Sequence, residues 1–191
     1  MDKFVEILIQ PKWFADDIPS SPKKASATLT ISGNVSEEET VTIGSEVYEF
    51  VESASQEPTT NIEVVLGDTE VAKDVAAEKL EAAINEISQI VTAEKIEVDD
   101  DVAVVVSYKK VGTEGNEIDI DTDCTNASWD DSAENLSGGK YGTPCPITGL
   151  GIRVQDDSTP PNDIYYICTK AGGAETVEWK KVQLLDVNDE D

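Results

Sequence analysis

Three aspartates in alternation, Asp119, Asp121 and Asp123, are the residues of this sequence best suited to chemistry. Alternate residues of a strand share one face, and a face rich in carboxylate oxygens can bind a hard cation such as Ca²⁺. A calcium loop of the EF-hand type that began at Asp119 would need glycine at its sixth position and glutamate at its twelfth, where the sequence has Cys124 and Asp130. The pattern therefore fails. We predict no metal and no cofactor, and these aspartates are the residues to inspect for a cation.

The sequence lacks the residues that nucleophilic and redox catalysis usually require. The chain has no histidine, which removes the imidazole base of hydrolase triads and the imidazole ligand of zinc sites. Cys124, Cys145 and Cys168 form no CxxC pair, and their odd number predicts reduced thiols rather than a disulfide framework. We predict that the protein is not an enzyme, and a carboxylate-dependent hydrolase is the last-ranked alternative.

The charge of the chain restricts its partners. Forty Asp and Glu residues against 14 Lys and Arg residues give a formal net charge of −26, and the acidic residues are spread along the whole chain. Such a surface repels phosphate backbones and anionic lipid headgroups. We therefore expect neither nucleic acid nor a membrane as a partner. The carboxylates favour solubility in general, or an outward-facing surface in an assembly.

The elements that must position these residues are mostly strands. Residues 27–32, 40–43 and 47–51 alternate apolar with small or polar residues and are punctuated by Gly33 and Gly44, which is typical of antiparallel strands with one buried face. Apolar residues at three- and four-residue spacing predict one amphipathic helix over about 69–91, capped by Asp68 or Thr69. The predicted fold is mainly β (α+β), an antiparallel sheet with one amphipathic helix packed on it, plus a small C-terminal β domain.

Changes of composition predict three parts. Residues 1–24 contain a short strand over 4–10 and a proline-rich arm with Trp13 and Phe14. Residues 25–140 form the β domain with the helix, ending near Gly138-Gly139. Residues 141–191 form the small β domain, with strands predicted over 151–155, 164–170 and 176–185.

The ordered series of elements over residues 25–140 resembles a domain that recurs in virion proteins of tailed bacteriophages. The matching segments are ATLTISG at 27–33, ETVTIG at 39–44, VYEFV at 47–51, LEAAIN at 80–85, GTEGNEI at 112–118 and LSGG at 136–139. The end of the chain, with YYICT at 165–169 and WKKV at 179–182, is similar to the short β endings of phage head-fibre and fibre-like proteins.

This resemblance implies a structural protein of the virion, made in the host cytoplasm and bound to the outside of the capsid as a decoration or head-fibre protein. Its expected partner is the major capsid protein or another virion protein, and self-association into a homo-oligomer stays open. The N-terminal segment would dock on the shell through Phe4, Ile7, Trp13 and Phe14.

Two alternatives remain. The first is a tail-associated structural protein, because the same domain type occurs in head and tail components. The second is a host-surface or carbohydrate-binding module, whose stacking platforms would come from the exposed members of an aromatic set: Trp129, Tyr141, Tyr165, Tyr166 and Trp179.

Overall fold

The structure, a computed structural model, describes residues 20–130, 133–146, 148, 151–155 and 163–182. The chain divides into two compact units. The large unit is Lys24–Lys140, and the small unit combines the residues up to Lys23 with those from Tyr141 onward. Strands dominate both units, and one α-helix packs on sheets of the large unit, so the predicted mainly β (α+β) fold class is confirmed.

The large unit contains ten strands and one helix among its described residues. In chain order they are β1 (Lys24–Ile31), β2 (Val35–Ser36), β3 (Thr40–Ile43), β4 (Glu46–Val51), β5 (Ile62–Val65), β6 (Glu70–Val71), α1 (Lys73–Ile87), β7 (Val91–Val98), β8 (Asp101–Val111), β9 (Ile120–Thr122) and β10 (Ala127–Trp129).

The first sheet has the strand order β10-β1-β8-β7, and every pair in it is antiparallel. Strand β1 buries every second residue, so that Leu29 and Ile31 lie opposite Val104 and Val102 of β8 with none of their surface exposed. This is the alternation that a sheet with one core-facing side requires. Strand β8 lies between β1 and β7, and its nearly continuous apolar run, residues 102–106, is buried except at the partly buried Val105.

The second sheet has the order β5-β4-β3-β9 and completes the core with the fully buried side chains of Tyr48 and Phe50. Strands β3 and β4 form a hairpin whose turn contains Gly44 at a φ of +60°, a conformation that favours glycine. The prediction of an antiparallel sheet is wrong for one pair, because β5 runs parallel to β4. Residues 52–61 provide the long connection that a parallel pair needs.

Helix α1 is shorter than the predicted 69–91, and its predicted caps are wrong. Residues Glu70–Val71 belong to β6, which pairs with β2, and the Glu37 amide donates to the Thr69 carbonyl oxygen at 2.9 Å. This short ladder holds the chain extended as far as Ala72, the N-cap residue, which makes no side-chain capping bond. Pairing with a distant strand therefore overrides the local capping signal.

The helix ends where Ser88 turns the chain into β7. The Ser88 amide donates to the Ile84 carbonyl oxygen, and the buried Ser88 hydroxyl accepts hydrogen bonds from the amides of Ile90 and Val91. The helix residues that the core buries are Ala76, Ala77, Leu80 and Ile84. Val75 and Ile87, which follow the same three- and four-residue apolar spacing, are 39% and 45% exposed. The buried stripe is thus narrower than the sequence pattern indicated.

The small unit contains the antiparallel strands β11 (Gly151–Gln155), β12 (Asp163–Lys170) and β13 (Glu178–Val182), in that order across one sheet. Its buried apolar cluster consists of Cys145, Cys168, Val177 and Trp179. Ser21 belongs to this unit, because its hydroxyl accepts a hydrogen bond from the Trp179 amide at 2.9 Å. The three strands predicted after residue 150 are therefore present, and the part of the last one predicted over 183–185 lies outside the described residues.

None of the helices in the described ranges is both long enough and apolar enough to cross a membrane.

Candidate functional site

The three alternating aspartates lie on the exposed side of β9 and its flanks. Ile120 points into the core at 5% exposure, whereas Asp119, Asp121 and Asp123 on the opposite face are exposed. Each carboxylate already accepts a local hydrogen bond. Asp119 accepts from the Asn135 side-chain amide at 2.8 Å, Asp121 from the Thr122 backbone amide at 2.8 Å, and Asp123 from the Thr40 backbone amide.

These hydrogen bonds give the aspartates a visible structural role, because Asp123 fastens the chain after β9 to the start of β3. Within the described residues, no group of three or more His, Cys, Asp and Glu side chains is arranged to hold a metal ion. The alternation is therefore explained by the strand, with its apolar residue turned inward and its carboxylates turned to solvent.

The four predicted docking residues, Phe4, Ile7, Trp13 and Phe14, lie outside the described residues, as does the strand predicted over 4–10. The part of the arm that is described, Ser20–Lys23, belongs to the small unit. There the Ser20 amide donates to the Thr143 hydroxyl at 3.2 Å, and the Thr143 amide donates to the Ser20 carbonyl oxygen at 2.9 Å. Residues 20–23 are thus part of a folded unit rather than a free arm.

Burial removes both described tryptophans as stacking platforms for a sugar. Trp129 packs in the core of the large unit at 7% exposure, and its indole N–H has no acceptor among the described residues. Trp179 is 8% exposed and donates its indole N–H to the Thr143 carbonyl oxygen at 2.7 Å. Tyr165 and Tyr166 are partly buried, and Tyr141 is 37% exposed. Tyr141 is therefore the most exposed of the five candidate platforms.

Cys124 is a structural thiol of the large unit. Its Sγ donates to the Thr40 carbonyl oxygen at 3.5 Å, at the same strand end that Asp123 holds. Burial, with a further contribution from the negative charges of Glu39 and Asp123, raises the pKa of the Cys124 thiol to about 11. Because the thiolate is the reactive form, this cysteine is a poor nucleophile at neutral pH.

The other two cysteines meet in the core of the small unit, which the sequence did not reveal. Cys145 and Cys168 are 1% and 0% exposed and belong to the same apolar cluster. They are separated along the chain by a strand and a connection, and no spacing rule links them. The only available signal was that Cys168 falls in a predicted strand and Cys145 in a proline-bound extended segment.

The hollow next to this pair carries few groups that could do acid–base chemistry. It has a volume of about 440 Å³ and is lined by Pro144, Cys145, Pro146, Ala171 and Gly172. Among these described lining residues, Cys145 carries the one titratable side chain. The described part of the lining therefore offers no second acid or base with which a nucleophile could be activated.

In the described part of the large unit, few basic side chains form ion pairs with the exposed carboxylates. Lys73 at the start of α1 pairs with Asp101 of β8 at 2.9 Å, and its Nζ also contacts the Asp100 carbonyl oxygen. Lys95 of β7 lies 3.5 Å from both Asp74 and Glu97. The pairs Lys73–Asp101 and Lys95–Asp74 fasten the helix to the sheet. They neutralise little of the charge of a chain in which acidic residues outnumber basic ones by 40 to 14.

No protein-family model and no curated protein sequence matches the chain. Among solved structures, the chain is similar to the D2–D3 domains of the flagellar cap protein FliD from Serratia marcescens, with 17% sequence identity. The similarity covers 87% of this chain and 80% of the other, at a TM-score of 0.26. A likeness at this level does not indicate a shared fold, and we infer nothing from it.

Proposed function

We propose that this chain is a non-catalytic structural protein of a tailed-bacteriophage virion, bound to the outside of the capsid as a decoration or head-fibre protein. It would be made in the host cytoplasm and carried on the finished particle. Its partner would be the major capsid protein or another virion protein.

The observation that carries this proposal is the ordered series of segments over residues 25–140 that resembles a domain of phage virion proteins. Those segments are distributed over the strands, the helix and the turns of one compact unit, Lys24–Lys140. ATLTISG supplies most of β1, ETVTIG and VYEFV supply the β3–β4 hairpin, and LEAAIN supplies Leu80 and Ile84 of the buried side of α1. The resemblance therefore extends over a whole folded unit rather than over one short motif.

The charge of the chain supports an outward position. A net charge of −26 opposes contact with packaged nucleic acid, whose phosphates are also negative. On the outside of a shell the same charge repels neighbouring particles and keeps them dispersed. Attachment must then come from a less acidic part of the chain. Residues 1–24 meet that requirement, because their four carboxylates are balanced by four lysines and they contain Phe4, Ile7, Trp13 and Phe14.

The proposal is tested by sedimentation with capsids. Capsids of the phage that encodes this chain are prepared without it, by deletion of its gene, and are mixed with the purified full-length protein. We expect the protein to sediment with the capsids and to saturate at a fixed number of copies for each capsid. A protein that stays in the supernatant at every concentration would contradict the proposal.

A pair of variants then tests the anchor. The first replaces Phe4, Ile7, Trp13 and Phe14 with alanine, and we expect it to lose capsid binding because buried aromatic and aliphatic anchors dominate interface energies. The control replaces Lys12, Asp16 and Asp17 with alanine in the same segment, and we expect it to bind as the wild type does. Equal binding by both variants would refute the role of the four apolar residues and leave the virion assignment to the first experiment.

A further inference from the structure

The small unit brings two cysteines together through its backbone pairing. Cys145 forms an antiparallel bridge with Gly172, in which the Cys145 amide donates to the Gly172 carbonyl oxygen at 3.0 Å and the Gly172 amide donates back at 2.9 Å. Gly172 follows directly after β12, the strand that carries Cys168. The bridge therefore places the extended segment around Cys145 alongside the end of β12.

The side chains complete this juxtaposition. Cys168 lies opposite Trp179 in the β12–β13 pair, and both pack in one cluster with Cys145 and Val177. Both cysteines are reduced and lie in this one buried cluster, in which the neighbouring Cys145 thiol contributes to the raised pKa of Cys168. The bridge to Gly172 and the shared cluster bring the two residues together, and close approach is the main geometric requirement for a disulfide.

We propose that Cys145 and Cys168 form a disulfide when the protein meets an oxidising environment, and that this bond fastens the segment before β11 to β12. The co-reactant is a low-molecular-weight disulfide such as oxidised glutathione. The Cys145 thiolate attacks one of its sulfur atoms, forms a mixed disulfide and releases one glutathione. Cys168 then attacks the Cys145 sulfur and releases the second glutathione. Two protein thiols become one disulfide, and one glutathione disulfide becomes two thiols.

The surroundings of the pair set the order and the rate of these steps. Cys145 lines the surface hollow described above at 1% exposure and Cys168 has no exposed surface, so Cys145 is the thiol nearer to a small oxidant. Burial, together with the neighbouring Cys145 thiol, raises the pKa of Cys168 above its ordinary value. Because only thiolates attack disulfides, oxidation is slow at neutral pH and becomes faster as the pH rises.

The consequence for the particle rests on the proposed function. A virion protein made in a reducing cytoplasm keeps both thiols reduced during assembly, and it meets oxidants after the cell lyses. The small unit has a buried cluster of only four residues among those described, so a covalent bond adds a large share of its stability. Closing the segment 145–168 in the unfolded state is expected to reduce the unfolding equilibrium constant by about 300-fold.

The test uses the purified full-length protein, oxidised with glutathione disulfide and compared with a sample kept in dithiothreitol. Of the three free thiols, we expect two to disappear on oxidation, with the mass of the chain falling by two hydrogen atoms. Peptide mapping should find one linked pair, Cys145 with Cys168. Three remaining thiols, a mass increase from stable glutathione adducts, or a link that involves Cys124 would each overturn the proposal.

Two variants separate the pair from the third cysteine. Cys124→Ser should still lose two thiols on oxidation and show the same increase in resistance to urea as the wild type. Cys168→Ser should keep its two thiols and gain no resistance. If Cys168→Ser does not fold, Cys145→Ser serves the same purpose.

A final measurement distinguishes this proposal from the proposed function. Alkylation of intact particles before and after reduction reads the state of the pair in the virion. A disulfide formed by the purified protein, with no copy of the chain in particles, would refute the virion role alone. A chain present in aged particles with both thiols free would refute the disulfide alone.

Discussion

Replacing Gly139 with alanine is expected to destabilise the large unit far more than the same change at its neighbour Gly138. A Cβ atom at position 139 would lie 2.4 Å from the carbonyl oxygen of Gly112 and 2.9 Å from both the Ala25 Cβ and the Asn116 Oδ1. The first of these contacts is with backbone, which cannot rotate away as a flexible side chain would.

A pair of hydrogen bonds also holds Gly139, and these bonds would break if the backbone moved to make room for the Cβ atom. The Asn116 Nδ2 donates to the Gly139 carbonyl oxygen at 2.9 Å, and the Gly139 amide donates to the Asn116 Oδ1 at 2.8 Å. Two lost hydrogen bonds at about 1 kcal/mol each, plus about 2 kcal/mol for overpacking, give a destabilisation of about 4 kcal/mol for Gly139→Ala.

The matched control is Gly138→Ala. Gly138 has a φ of +76° and nothing within 4 Å of the position its Cβ would take, so alanine adds backbone strain alone. That strain costs about 1 kcal/mol. In urea unfolding followed by circular dichroism, we expect Gly139→Ala to lower the unfolding midpoint by about 2 M and Gly138→Ala to lower it by about 0.5 M. These shifts follow from the two free energies and an m value of about 2 kcal/mol/M. Equal shifts, or a larger shift for Gly138→Ala, would refute the reasoning.

Three further predictions concern the helix, a thiol and the net charge. Asn85→Ala should lower the unfolding free energy, measured by urea titration, by about 2 kcal/mol. The reason is that the Asn85 side-chain amide donates to the Ala93 carbonyl oxygen and accepts from the Ala93 amide, both at 2.9 Å. Asn85→Asp keeps the acceptor and should therefore recover part of this loss. For Cys124, the folded pKa of about 11 lies above the ordinary 9.0, so the unfolded chain loses its proton first and stability falls as the pH rises from 9 to 11. The wild type should therefore lose more stability over that interval than Cys124→Ser, and equal losses would contradict the burial of this thiol. Raising NaCl from about 0.02 M to about 0.5 M should increase the urea midpoint, since salt screens the self-repulsion of a chain with net charge −26, and a decrease would be the contrary result.

The alternating strands could be predicted from sequence because each apolar residue of the alternation is one that the core buries. In β1 every second residue is buried, and the same period appears in the letters of residues 25–31. The β3–β4 hairpin could also be predicted from the sequence, since Gly44 marks its turn. In each case the element and its neighbour are close in sequence, so local signals and tertiary structure agree.

The errors occurred where a distant partner decides the local conformation. The start of α1 was predicted too early because the β2–β6 pair holds residues 70–71 extended. The direction of β5 was missed because the periodicity of a strand does not reveal whether its neighbour is parallel. Residues Glu114–Glu117 form a 3₁₀ turn that also depends on distant segments, because a Cβ on Gly115 would lie 2.8 Å from Ala25 and from Tyr108.

The site residues show the same division. The sequence identified alternating aspartates but could not show that each already accepts a hydrogen bond from its surroundings. It found three cysteines but not the contact between Cys145 and Cys168, because the contact depends on a bridge to Gly172 and on the packing of Trp179. Contacts that join distant segments leave no periodicity in a single sequence.

Immunogold electron microscopy of intact phage particles tests the central claim most directly. The antibody is raised against residues 25–191, and a second antibody against another virion protein controls for access to the particle. We predict gold over the heads. Gold confined to the tail would replace the capsid assignment with the tail-associated alternative. Particles labelled by the control antibody alone would contradict a structural role in the virion.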